Sequence, residues 1–159
     1  MYSIETPRLG FLPMTFEALE AAIYGEEKLQ HFLGLKIIKG FIEPVHNERV
    51  FPIRLDKLRK DPELSKWYGF VVEKNSETVV GMMGYKNPPN EKGLIEIGYG
   101  ITSQFQGMGY ASEMAQKLME WAFQQEGVKG ITATNKIVKK LGMVLLKSNN
   151  ETVDYIVYK

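Results

Sequence analysis

Apolar and polar positions change period several times along the chain, and each change predicts an element. Leu9 and Phe11 alternate before Pro13, which predicts a short first strand ending at Met14. Thr15 then supplies a side-chain acceptor for a helix through Glu17, Leu19 and Ala22 that closes near Gly25. Residues 26–50 hold no clean period: Phe32, Leu33, Leu35, Ile37 and Ile38 are broken by Gly34, Gly40 and Pro44. Helical turns and a flexible loop are expected there. Pro52 suits the first turn of a second helix carrying Ile53, Leu55 and Leu58 and stopping around Asp61-Pro62.

From Lys66 onward the pattern is that of strands. Residues 67–72 and 78–85 are rich in β-branched and aromatic side chains, with a hairpin loop at 73–77 between them. A second turn at 87–93 leads to a third strand, Leu94 to Ile101, and the three form an antiparallel meander. The clearest helix follows. Ala111, Met114, Ala115, Leu118, Met119 and Ala122 recur at i, i+3, i+4, i+7, i+8 and i+11, one apolar stripe ended by Gly127. Residues 128–134 read as a strand, 135–141 as two helical turns, and 143–146 with 153–158 as a closing hairpin across Asn149-Asn150. The expected fold class is α/β, an α+β mixed sheet covered by helices.

Composition adds exclusions rather than a function. At 159 residues, with 44% hydrophobic and 25% charged positions, the chain fits one globular domain over residues 1–159. No apolar run approaches the roughly 20 residues of a membrane span, and no basic-then-apolar leader is visible. With no cysteine, thiolate nucleophiles and cysteine metal sites are excluded. Twenty basic against 19 acidic side chains leave a net charge of +1, which removes the electrostatic case for nucleic-acid binding. A soluble cytoplasmic protein without a membrane or nucleic-acid partner is expected. His31 and His46 have no carboxylate at ligand spacing, so no metal site is expected.

The candidate chemistry lies between the third strand and the long helix, in Gln104-Phe105-Gln106-Gly107-Met108-Gly109-Tyr110-Ala111. Two glycines allow a tight turn and close backbone approach. The helix aims its unpaired N–H groups and positive dipole end into that turn, where a phosphate fits. A glycine turn before a helix is equally an ordinary structural feature. Competing phosphate loops match less well. No Gly-x-x-x-x-Gly-Lys-Ser/Thr occurs, and Gly107-x-Gly109-x-x-Ser112 lacks the third glycine of a dinucleotide fingerprint.

Gln106-x-x-Gly109-x-Ala111 resembles the Gln/Arg-x-x-Gly-x-Gly/Ala acyl-CoA signature of the GNAT superfamily of N-acyltransferases; Gln104-x-x-Gly107-x-Gly109 satisfies it in a second register. The first register is preferred because it places Tyr110-Ala111-Ser112-Glu113 at the helix start, as in related sequences. Glu5-Thr6-Pro7-Arg8-Leu9 looks like the opening of the branch that includes ribosomal-protein alanine N-acetyltransferases. Residues 80–84, 95–101 and 139–143 follow in the branch's order. The resemblance implies a GNAT-like fold, a largely antiparallel central sheet with helices on both faces, and acetyl-CoA as cosubstrate.

The resemblance also implies roles. Backbone N–H groups of Gln106, Gly107, Met108, Gly109, Tyr110 and Ala111 would hold the pyrophosphate, with a hydroxyl contact from Ser112. Tyr99 and Ile101 would pair with the pantetheine arm through their backbones, and the Ile101 N–H would steady the thioester oxyanion. An amine acceptor is largely protonated at neutral pH and needs a base. Glu96, inside an apolar strand near the position where relatives place one, is the candidate. Alternation sends it to the face opposite Ile95, Ile97, Tyr99 and Ile101. It reads equally as an ion-paired strand residue. Glu113, in the first turn of the helix, reads as a dipole partner.

The chain departs from the family after Thr134, where residues of an Asn-bearing loop are missing and Asn135 either contacts CoA or caps a helix. The position of a tyrosine acid is Val138. The implied activity is transfer of an acetyl group to a primary amine, such as a protein N-terminal amine, by direct attack in a ternary complex. A non-catalytic acyl-CoA-binding or regulatory module on the same fold is the alternative. Residues 26–65 and the Asn149-Asn150 hairpin would shape the acceptor site. Trp67 and Tyr68 are either packing residues or part of its lining. An exposed final strand would allow a homodimer.

Overall fold

A computed structural model of the chain describes residues 1–133, 144–148 and 153–159. The first strands are β1 (Ile4–Glu5) and β2 (Leu9–Pro13), followed by α1 (Phe16–Tyr24) and α2 (Glu26–Leu33). Thr15 caps α1 by accepting from the Ala18 N–H at 3.2 Å, as its position predicts. The helical turns expected within residues 26–50 form a full helix, α2, bounded by Gly25 and by Gly34, a left-handed C-cap. Only Leu29 of α2 is fully buried, which is why no apolar stripe announces it.

Next come β3 (Lys36–Ile37), a widened π-type turn at His46–Val50, and α3 (Phe51–Lys60), with Pro52 in its first turn. After a 3-10 segment at Pro62–Trp67 come the meander strands β4 (Tyr68–Glu73), β5 (Thr78–Tyr85) and β6 (Leu94–Ile101). The chain continues through α4 (Tyr110–Phe123), β7 (Gly130–Ala133), β8 (Val144–Ser148) and β9 (Val153–Tyr158).

The sheet order is β1-β2-β4-β5-β6-β7-β9-β8. Every neighbouring pair is antiparallel except β6 and β7, while β3 adds a short parallel pairing to β5 at Lys36–Thr78 and Ile37–Val79. The final strand is therefore not an edge: β9 lies between β7 and β8, and β8 takes the edge.

Alternation along the strands loads both faces of the sheet. Phe11, Val71, Met83, Tyr85, Ile95 and Ile97 face α4, whose Met114, Ala115, Leu118 and Ala122 complete that half of the core. Phe70, Val72, Val79 and Met82 face Leu19, Leu29, Phe51 and Leu58 of the first three helices. The β4–β5 register slips between Val71 and Val72, so that Val80 and Gly81 together oppose Val71. The slip explains how Val79 and Met82, three residues apart, share a face.

Candidate active site

β6 holds the middle of the site because its two edges are paired over different lengths. Toward β5 the ladder runs from Ile97 to Ile101; toward β7 it covers only Leu94–Gly130, Ile95–Ile131 and Glu96–Thr132. The described pairing with β7 ends at Glu96. The Thr102 N–H donates to the Val80 carbonyl at 2.9 Å, so alternation turns the backbone groups of Ile101 and Tyr99 away from β5. The Ile101 carbonyl follows that direction: it accepts from Nε2 of Gln106 at 2.8 Å.

The turn after β6 has the backbone that its glycines predict. Gly107 and Gly109 have φ of +83° and +80°, the left-handed region. Gly109 is the N-cap of α4, and no side chain caps that end, so the first N–H groups of the helix stay available to a ligand. A cavity of about 460 Å³ opens over this turn. Its lining comprises Tyr99, Gly100, Ile101, Phe105, Gln106, Gly107, Gly109, Tyr110, Ala111 and Ser112. Met108 is half exposed and outside the lining; its carbonyl accepts from Nη2 of Arg8 at 2.9 Å.

Arg8 links the turn to the start of the chain. Its Nε donates to Oε1 of Glu113 at 2.8 Å, and its guanidinium lies 4.6 Å from the centre of the Tyr110 ring. The Thr6 hydroxyl and the Arg8 N–H donate to Oε2 of Glu113. Burial works to raise the Glu113 pKa, but the Thr6 and Arg8 hydrogen bonds outweigh it and hold the carboxyl below its usual range. Glu113 therefore does more than complement a helix dipole; it fastens α4 to the β1–β2 turn.

A second cavity, about 630 Å³, lies on the α3 side of β6. It shares Tyr99, Gly100 and Ile101 with the first and adds, among others, Phe41, His46, Val50, Arg54, Tyr68, Met82, Lys86 and Thr102. A Cβ built on Gly100 would meet nothing within 4 Å, and one on Gly98 only the Gly84 carbonyl at 4.0 Å, so this stretch of the floor is bare backbone. Tyr68 belongs to the lining, whereas Trp67 is buried, packed edge-on against Tyr85 and against Trp121 of α4.

Glu96 projects to the α3 side, because Ile95 and Ile97 on either side of it pack under α4. It does not line the cavity itself. Its Oε2 is 2.9 Å from Nζ of Lys86, which does. Asn135 and Val138 lie outside the described residues.

The sequence reading places the acceptor site in residues 26–65 without singling out Val50, Arg54 or Lys57 and weighs His46 only as a metal ligand, although the four recur at i, i+4, i+8 and i+11, one face of the turn that leads into α3 and of α3 itself. His46 Nδ1 accepts from the Glu43 N–H at 2.9 Å, and the ring stacks on Phe51 with centroids 5.4 Å apart. Burial lowers its pKa, opposed by the Glu43 carboxylate. With Nδ1 occupied as an acceptor, the neutral ring carries its proton on Nε2 and offers the cavity a donor rather than a base. Among the described residues, no group of three His, Asp or Glu side chains is placed to hold a metal ion.

Comparison with known proteins agrees with this geometry. The acetyltransferase (GNAT) domain family matches residues 8–144. An uncharacterised N-acetyltransferase, YjdG, of Bacillus subtilis (strain 168) is 36% identical over 93 residues, 54% of each chain. The chain thus spans about half the length of that curated relative. A ribosomal-protein alanine acetyltransferase from Vibrio fischeri has the same fold at a TM-score of 0.70 and 17% identity, covering 99% of this chain and 97% of its own. A microcin self-immunity acetyltransferase, solved with acetyl-CoA and AMP, matches at 0.61 and 12% identity over 97% and 94% of the two chains. A left-handed glycine turn and an uncapped helix start thus coincide with a sequence match over most of the chain, which belongs to the acetyltransferase (GNAT) domain family.

Proposed function

We propose that this protein, acting as one domain in the cytoplasm, is an N-acetyltransferase that moves an acetyl group from acetyl-CoA to a primary amine within a ternary complex. The observation that carries the reading is the junction at Tyr99, Gly100 and Ile101. One cavity opens there over the left-handed glycine turn at the start of α4, and another arrives from the opposite side with room for an acceptor.

The cofactor's pyrophosphate is assigned to the N–H groups of the 106–111 turn, with a hydroxyl contact from Ser112. Its pantetheine arm pairs with the β6 backbone on the side turned away from β5. The Ile101 N–H then faces the thioester carbonyl and stabilises the charge that grows on its oxygen during attack. The acceptor amine enters from the α3 side. Glu96, which stands behind Lys86 rather than in the lining, takes its proton through water, and the ion pair with Lys86 orients its carboxylate. The amine attacks the acetyl carbonyl, the carbon–sulfur bond breaks, and CoA leaves as the thiolate. Protein N-terminal amines fit the branch resemblance and the name of the Vibrio fischeri structure.

Calorimetric titration with acetyl-CoA and with CoA at fixed salt tests the first half of the reading, and micromolar binding is expected. A panel of amines, followed by release of the CoA thiol, tests the second half. Binding with no turnover on any amine would favour a non-catalytic acyl-CoA-binding module, the reading supported by Val138 at the position of the family's tyrosine acid.

A further inference from the structure

Charge is unevenly matched in the larger cavity. Lys86 is paired with Glu96, and Lys57 donates to Oδ1 of Asn87 at 3.0 Å. Glu43 is an exposed rim residue whose charge acts on His46. Arg54 has neither kind of partner: no carboxylate forms a salt bridge with it among the described residues, and its Nε is buried with no acceptor. What holds it is the face of Tyr68, whose ring centre lies 4.3 Å from the guanidinium carbon. Such stacking fixes the guanidinium plane and leaves its edge groups to recognise something else. A guanidinium N–H buried without an acceptor, as the Arg54 Nε–H is, is costly to the ligand-free protein. Its planar fork matches a carboxylate.

We infer that Arg54 is the acceptor-recognition residue of this cavity, and that the amine acceptor carries a carboxylate which seats against the Arg54 guanidinium. The inference rests on the larger cavity being the acceptor site. It narrows the substrate class to amines bearing a carboxylate and excludes polyamines and other polycationic acceptors, which would meet Arg54, Lys57 and Lys86 together. The carboxylate has two possible sources: the α-carboxylate of a single amino acid, or an acidic side chain beside a peptide N-terminus.

Product-like ligands test the site without requiring turnover. The CoA-loaded protein is titrated with N-acetylalanine against N-acetylalaninamide. It is then titrated with N-acetylated dipeptide amides that differ only in an aspartate or an asparagine at the second residue. In at least one pair the acid is expected to bind ten or more times tighter than its neutral partner; which pair shows the difference identifies the source. Arg54→Gln should erase that preference while leaving CoA affinity intact, and Arg54→Lys should keep part of it. Equal binding of acid and neutral forms, no binding of any of the four, or a preference that survives Arg54→Gln overturns the inference. Acid-selective binding without acetylation of the corresponding free amines would retain the anion site and reject the catalytic reading.

Discussion

The two cavities that meet on β6 are built on different principles. The smaller one is almost entirely backbone: positive-φ glycines, an uncapped helix start and a strand edge, all within residues 99–112. The larger one is built of side chains brought from the turn before α3, from α3 itself, and from β4, β5 and β6. A backbone site binds what every member of a family shares and tolerates drift in side-chain identity. A side-chain site binds what distinguishes one member from another. The boundary between the two is three residues wide.

The sharpest division of labour would be shown by Glu96→Gln. Loss of a general base is expected to lower kcat by about 10²–10⁴-fold with CoA affinity nearly unchanged. A loss under threefold in steady-state kinetics would take Glu96 out of that role. Gly109→Val attacks the other side, forcing a β-branched residue into left-handed backbone. Losing two phosphate hydrogen bonds to charged oxygens, at roughly 1.5–3 kcal/mol each, should weaken CoA about 100-fold or more by calorimetry. Unchanged affinity would mean that the turn does not hold the cofactor.

Arg8→Ala should have a smaller effect, because it removes only a brace from the Met108 carbonyl and Glu113. A rise in CoA Kd of about tenfold, with acceptor selectivity intact, corresponds to roughly 1.4 kcal/mol. A changed acceptor preference would join the two cavities where the present reading separates them. Smallest is a pH effect. The Glu113 pKa is lowered in the folded protein from an ordinary 4.5, so the unfolded chain binds the proton more readily. The stabilisation it provides is present above pH 4.5 and lost as pH falls through the depressed folded value. Thermal melts of wild type and Glu113→Gln should therefore differ at neutral pH and converge in acid; a constant gap would contradict the assignment.

The same contrast explains what could be read from the sequence. α4 was legible because its stripe spans three turns, and the meander because β-branched runs bracket polar loops. The left-handed turn before α4 was legible because glycine spacing encodes backbone shape directly. α2 was hidden, since a helix that buries one leucine leaves no period. Arg54 was hidden for a different reason. A basic residue on a helix reads as solvated until Tyr68, fourteen positions later, is seen beneath it. Gln106 was valued for its backbone, yet its side chain also holds the end of β6 against the turn.

The wall of the larger cavity around Phe41 is attached to the rest of the molecule in an unusual way. β3 contributes only two register pairs to the sheet. The chain beyond it is clasped by α2, where the Gln30 side chain accepts from the Ile37 N–H and the Glu26 carboxylate from the Gly40 and Ile42 N–H groups. These fastenings grip main chain and are indifferent to the side chains between them. Apart from the buried Phe41, side chains of residues 38–45 can thus change without re-registering a single long strand, so this wall can be reshaped while the sheet behind it stays fixed.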